Sequence, residues 1–292
     1  MTPSAVTSEI RPRRVSFDWT DTPLHWIPGD PQSTHTINVL HMLLPAGEKW
    51  FVQVFRQALP LVTDPKLLAD MKGFMGQEAI HSRAHSPVLD HMAAQGLDST
   101  RYTERVEWFF TRLLGDEPLG RPIPKRLRRA WLKQRLAIIA AVEHFTSEMG
   151  DWVVQRSYAL DAAGADPTML DLLRWHGAEE VEHRSVAFDA FQAVSGSRFR
   201  RGEAMVITIA ALAFLWITGT RFFMSNDPAQ PGKATWRAFI RAGRSGHLPT
   251  LADLFGSIPH YFRSRYHPSQ YGSTEAAIAY LAASPAARAA AA

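Results

Sequence analysis

Two stretches of the chain carry a glutamate three residues before a histidine, Glu78-Ala79-Ile80-His81 and Glu180-Val181-Glu182-His183. Residues three apart on a helix share nearly one face, so each carboxylate and imidazole can reach a common ion. One such pair is weak evidence; placement raises it. Each pair follows a second glutamate set in an apolar stretch: Glu48 within Leu44-Pro45-Ala46-Gly47-Glu48-Lys49-Trp50-Phe51, and Glu143 at the end of the run Leu136 to Val142. The chemistry such residues do together is metal binding. Four glutamates buried ionised and unpaired would be very costly, whereas two divalent cations bring +4 against −4. Four carboxylates with two imidazoles suit iron, with manganese or zinc as the other candidates.

The order Glu, Glu-x-x-His, Glu, Glu-x-x-His is an internal repeat of a helix pair. It is the ligand order of ferritin-like dimetal-carboxylate bundles. The expected metal ligands are therefore Glu48, Glu78, His81, Glu143, Glu180 and His183. Glu179 adjoins Glu180, but only Glu180 has the three-residue spacing to His183, and Glu179 and Glu182 are expected to face elsewhere. His85 lies one turn past His81, His176 one turn before Glu180, and His41 two turns before Glu48. These three are expected to orient a ligand by hydrogen bonding or to line a substrate cavity. His144 should point about 100° away from Glu143.

To position these residues the chain needs long helices, and its pattern is helical nearly throughout, without period-2 strands or hairpin turns. The fold class expected is all-α, a ferritin-like four-helix bundle with a C-terminal helical extension. Residues 1–30 read as an irregular lead-in, 31–200 as the dimetal-binding helices, and 201–292 as an apolar helix, short basic helices and an Ala-rich, frayed tail. The first helix should begin near Ser33 or Thr34 and be disturbed at Pro45. Asp64-Pro65 and Asp166-Pro167 are matching start signals for the second and fourth helices. The second ends near Gly96 unless Pro87 breaks it sooner. Tyr102 to Leu114 is a shorter amphipathic stretch, the third long helix opens near Pro124, and the fourth runs towards Gly196.

The absence of cysteine excludes disulfides, zinc-thiolate sites, iron–sulfur clusters and thiol nucleophiles. No apolar segment follows Met1, so no cleaved secretory signal is expected, and a cytoplasmic location fits. The net charge of +4 gathers at Lys125 to Arg129 with Lys133 and Arg135, and at Arg198 to Arg201. Neither run is interleaved with the aromatics or glycines that mark common RNA-binding modules, so solvated helix faces rather than nucleic-acid binding are expected. Ala204 to Thr220 is uncharged and apolar all round. At about 26 Å it falls just short of a comfortable bilayer crossing. It reads either as a membrane-associated anchor or as a helix buried in the domain or in a homo-oligomer interface.

The strings LPAGEKWF (Leu44 to Phe51), FMGQEAIHSRAH (Phe74 to His85), VEHFT (Val142 to Thr146) and WHGAEEVEHRSVAFD (Trp175 to Asp189) occur in order. Together they resemble the bacterial proteins described as predicted metal-dependent hydrolases, over roughly Arg11 to His267. The resemblance implies a metal-binding, ferritin-like helical protein. Three activities follow as expectations. The ligand set favours an O2-activating di-iron enzyme acting on a small apolar or lipid-like substrate with an electron donor. The family description points instead to hydrolysis by a metal-bound water. The third is non-catalytic handling of metal or oxygen.

Overall fold

The computed structural model describes residues 10–291, so the first nine residues of the lead-in and the segment after Met1 lie outside the described residues. Among those described there are helices and no strand.

Three helices begin alike. Asp30, Asp64 and Asp166 each accept a hydrogen bond from the backbone N–H three residues on, and a proline follows each at the first helical position. The aspartate satisfies an orphan donor, and proline has no N–H to leave unsatisfied there. They open α1 (Pro31–Ala58), α2 (Pro65–Ala94) and α6 (Pro167–His183). The start expected at Ser33 or Thr34 thus moves to Asp30-Pro31. The helix also runs unbroken through Pro45, and α2 through Pro87.

Between them lie α3 (Thr100–Trp108), closed by a wide turn at Phe109–Leu113, then α4 (Lys125–Arg156) and short α5 (Tyr158–Ala162). Helix α1 packs on α2 and α4 on α6, and the two pairs meet through α1–α4 and α2–α6. The α4–α6 seam is very close: a Cβ on Gly150 would stand 2.3 Å from the carbonyl oxygen of Gly177.

The fourth helix stops at His183 instead of continuing towards Gly196. After Arg184 and Ser185 the chain resumes as α7 (Val186–Val194). The apolar segment belongs to a longer helix, α8 (Arg198–Asn226), laid along α1 and α4. Trp216 Nε1 donates to the carbonyl of Thr36, and Tyr102 Oη to that of Leu215, tying α8 to its neighbours. The basic stretch that follows forms α9 (Trp236–Ser245), α10 (Leu251–Phe255) and α11 (Ile258–Tyr261). The tail is not frayed. It forms α12 (Thr274–Ala283) and α13 (Pro285–Ala291), and α12 packs on α6. Asp171 accepts from Tyr280 Oη at 2.9 Å and from the Ala286 N–H at 3.0 Å. Small alanines permit that close approach, with Ala277, Ala286 and Ala287 buried.

Candidate metal centre

Helices α1, α2, α4 and α6 converge on one buried cluster. His81 Nδ1 stands 4.0 Å from Glu48 Oε1, 3.8 Å from Glu78 Oε1 and 3.6 Å from Glu180 Oε1. His183 Nε2 stands 3.3 Å from Glu78 Oε1, 3.2 Å from Glu143 Oε2 and 3.4 Å from Glu180 Oε2. The six residues expected from the sequence are thus together, and His176 joins them. Its Nε2 is 2.9 Å from Glu180 Oε1 and 3.8 Å from Glu48 Oε1. Where only an orienting or lining role was expected, its ring nitrogen lies inside the cluster.

The donors fall into two groups, Glu48–His81–His176 and Glu78–Glu180–His183, each within 4.8 Å. Glu180 turns one oxygen to each group, and Glu78 Oε1 lies between His81 and His183. Glu48 serves one end and Glu143 the other.

Apart from Glu180 Oε1 and His176 Nε2, which meet at 2.9 Å, the atoms facing inward have no hydrogen-bond partner: both oxygens of Glu48 and of Glu143, Glu78 Oε1, Glu180 Oε2, His81 Nδ1 and His183 Nε2. Leaving so many buried polar atoms unsatisfied would cost about 1–3 kcal/mol for each group, more where it is charged. Their spacing is also informative. Two donors bonded at about 2.1 Å to one ion stand roughly 3.0–3.4 Å apart at right or tetrahedral angles, and farther at wider ones. The separations above fall mostly in or just beyond that range. By contrast, His25 and His35 approach Asp227 Oδ2 at 2.6 and 2.7 Å, which is hydrogen-bond distance. That trio fastens the lead-in and α1 to the end of α8.

The outward nitrogens are fixed by partners. His81 Nε2 is 2.9 Å from Glu179 Oε2, so this N–H donates to the carboxylate and the Nδ1 lone pair is free to face the cluster. His183 is turned the other way: its Nδ1–H donates to Gln77 Oε1 at 3.0 Å, leaving Nε2 inward. Arg13 donates to Glu179 at 2.7 Å and to Glu182 at 2.8 and 3.0 Å, and Gln77 Nε2 donates to Glu182 at 2.7 Å. Glu179 and Glu182 were expected to face elsewhere; they form the outer wall of the centre. Their spacing of three residues was a usable signal. Nothing in the local sequence marked Arg13 or Gln77.

On the other flank, His176 Nδ1 meets His85 Nε2 at 2.6 Å, and His85 Nδ1 meets His41 Nδ1 at 2.7 Å. His176 Nε2–H donates to Glu180 Oε1 at 2.9 Å, so its Nδ1 accepts from His85 Nε2–H and His85 Nδ1 accepts from His41; a metal ion on His176 Nε2 would reverse these directions. His144 points away, as the helical angle required, and meets Tyr266 Oη and Ser257 Oγ.

The electrostatics report a cluster of like charges out of water. Burial pushes Glu48 and Glu78 well above the usual carboxylate range, and neighbouring carboxylates add to the effect. Burial raises Glu143 to about 7, with Glu180 adding to it, and raises Glu179 to about 8 despite Arg13. Glu180 is also buried, yet the charge of His183 and a hydrogen bond from His176 bring it well below its ordinary value. Burial would lower His183, but Glu180 and Glu143 lift it well above its ordinary value. Burial lowers His81 and His85 far below theirs, and His41 to about 3.

A pH dependence follows for metal-free protein. Between about 6.5 and 8 the folded state holds protons on Glu143, Glu179 and His183 that the unfolded chain releases, so stability falls as pH rises. Below about 6.5 the unfolded chain protonates His41, His81 and His85, which stay neutral when folded, while the folded state keeps protons on Glu48, Glu78, Glu143 and Glu179, so the two effects oppose each other. Melting temperatures of chelated protein should therefore fall as pH rises from about 6.5 to 8. A curve still rising to pH 8 would contradict the burial of these groups.

The chain matches the family model described as predicted metal-dependent hydrolase over residues 11–272. No curated protein and no solved structure matches it significantly.

Proposed function

We propose, from the premise that the chain belongs to the family of predicted metal-dependent hydrolases, that its centre holds two metal ions and acts hydrolytically on a small-molecule substrate. The observation that carries this reading is the set of inward donor atoms without hydrogen-bond partners. Seven side chains would hold the ions: Glu48, His81 and His176 at one position, Glu143 and His183 at the other, with Glu78 and Glu180 shared. The ferritin-like arrangement of α1, α2, α4 and α6 belongs to the same proposal.

Bound divalent ions would neutralise the four carboxylates, polarise a substrate oxygen and acidify a water. The remaining work falls to the protein. Glu179 and Gln77 hold the two imidazoles in opposite tautomers, as already described. Glu143 Oε1 has no hydrogen-bond partner and would be free to accept a proton. Phe74 meets the edge of His183 at 4.8 Å and Trp175 that of His81 at 5.1 Å. Both are fully buried and keep bulk water out.

A second reading has its own support. Four carboxylates, two of them shared between neighbouring positions, suit a pair of iron ions and two-electron oxygen chemistry with an external electron donor. The third imidazole, His176, makes zinc more acceptable than six donors alone did.

Metal analysis of protein purified without added metal, followed by assay under anaerobic conditions, separates the readings. Hydrolysis predicts about two ions per chain and activity with a redox-inert ion in the absence of oxygen. Iron loading with oxygen uptake, and no turnover anaerobically, would replace hydrolysis by oxidation. A chain that takes up no metal would reject both.

A further inference from the structure

The basic residues are unevenly placed. From Lys233 to Arg265 the sequence has Lys233, Arg237, Arg241, Arg244, Arg263 and Arg265 against the single acid Asp253, a net of +5 with histidines neutral. The whole chain carries +4, so the remainder sums to −1. The segment of α9, α10 and α11 is thus a third basic stretch, beside Lys125 to Arg135 and Arg198 to Arg201.

The same segment exposes large apolar side chains. Trp236 is 57% exposed, and Ile240, Leu251, Phe255 and Phe262 are each more than 40% exposed. On α9, Arg237, Arg241 and Arg244 surround Ile240 in one shallow hollow. None of these three arginines pairs with a carboxylate among the described residues, whereas Asp253 is engaged by Arg156. The elements are held together: Gly243 of α9 lies against Thr250 at the start of α10, and Gly202 of α8 against the ring of Phe262. Arg201 fastens this corner by donating to the carbonyl of Arg263 at 2.7 Å. The arrangement continues onto the exposed side of α8, which shows Phe199, Val206, Ile207 and Phe214.

Arginines without partners, interleaved with tryptophan and aliphatic side chains on an exposed surface, are the composition of an interfacial membrane contact. A nucleic-acid groove would have less use for exposed Ile240 and Leu251. A second copy of the chain would bring its own arginines against these. We propose that α9 to α11, with the adjoining face of α8, form a docking surface for an anionic lipid bilayer. The charge complements phosphate headgroups, and the apolar side chains enter the boundary between headgroup and acyl chain. Helix α8 is long and apolar enough to cross a membrane, but it packs along α1 and α4 and is hydrogen-bonded to α1 and α3 at Leu215 to Thr218. It lies on the surface rather than crossing. This inference is independent of the reaction class.

The test is flotation of the full-length protein with vesicles of phosphatidylcholine alone and of phosphatidylcholine mixed with phosphatidylglycerol. Binding to the anionic vesicles only, weakening with salt, is expected. A basic residue at such a surface contributes about fivefold in affinity, so the triple variant Arg237→Glu, Arg241→Glu, Arg244→Glu should bind about a hundredfold more weakly or worse. The double variant Trp236→Ala, Ile240→Ala should retain salt-sensitive binding at reduced affinity. Helix content and metal content, unchanged in both variants, show that the fold is intact. Equal binding to both vesicles, no binding to either, or unaltered binding by the triple variant overturns the proposal. So does a dimer, seen by light scattering, that the same substitutions dissociate while the wild-type protein ignores vesicles.

Discussion

Replacing Glu78 by glutamine is expected to abolish metal loading while raising the melting temperature of the metal-free protein. The two effects have one cause. Glu78 Oε1 stands between His81 and His183 at 3.8 and 3.3 Å, so its loss removes a donor from both proposed metal positions. Changing a residue that merely supports a ligand typically weakens metal binding about 10–100-fold, and removing a shared donor should exceed that. Without metal, however, Glu78 is a buried carboxyl crowded by Glu180 and Glu143. Glutamine keeps the shape and relieves both the burial penalty and the repulsion. Metal analysis and thermal melts with and without chelator measure both. A simple loss of folding would lower stability in either condition, so the opposite signs separate loss of the site from damage to the protein. Glu180→Ala should likewise lose loading, because its two oxygens face the two groups. Full loading in both variants would reject the centre.

The second large effect is expected at the α4–α6 seam. Gly150→Ala adds a Cβ 2.3 Å from the carbonyl oxygen of Gly177, and backbone cannot rotate away as a side chain can. Helices α4 and α6 must separate. They carry Glu143 on one side and His176, Glu180 and His183 on the other. A glycine-to-alanine change inside a helix ordinarily stabilises by up to about 1 kcal/mol. Here overpacking of about 1–3 kcal/mol should outweigh that gain and lower the melting temperature by several degrees. Metal affinity should drop as the donors spread. Gly243→Ala in α9 is the control, since its nearest contacts lie at an ordinary 3.4–3.6 Å and no loss is expected there. A Gly150→Ala protein as stable as wild type, with full metal content, would show that the seam does not set the spacing of the centre.

How far the chain can be understood without its tertiary structure depends on the range of the interaction concerned. Helix starts at Asp64-Pro65 and Asp166-Pro167 are local events, made by one side chain and the backbone three residues on, and the sequence displays them. The same signal at Asp30-Pro31 was there to be read. The Glu-x-x-His pairs are local too, because helical geometry alone puts residues three apart on one face. That is why Glu48, Glu78, His81, Glu143, Glu180 and His183 could be named together in advance. The choice of Glu180 over Glu179 for the inward position rested on the same 100° step per residue.

What surrounds those six residues was decided by how the helices are rotated and paired. Glu179 meets the far nitrogen of His81 across α2 and α6, 98 positions apart. Arg13 reaches Glu179 and Glu182 from a segment with no regular structure of its own. His176 enters the cluster because α6 lies close enough to α1 for its ring to approach Glu48. No periodicity encodes such meetings. The Ala-rich tail shows the same limit, since its composition is that of a frayed end until Asp171 offers partners to Tyr280 and Ala286. The sequence by itself therefore determined an all-helical chain with two Glu-x-x-His pairs on helix faces. The tertiary structure decided which side chains orient them, which third imidazole joins, and how closely α4 and α6 approach. Those outcomes depend on contacts between residues far apart in the chain, and only packing brings them within reach.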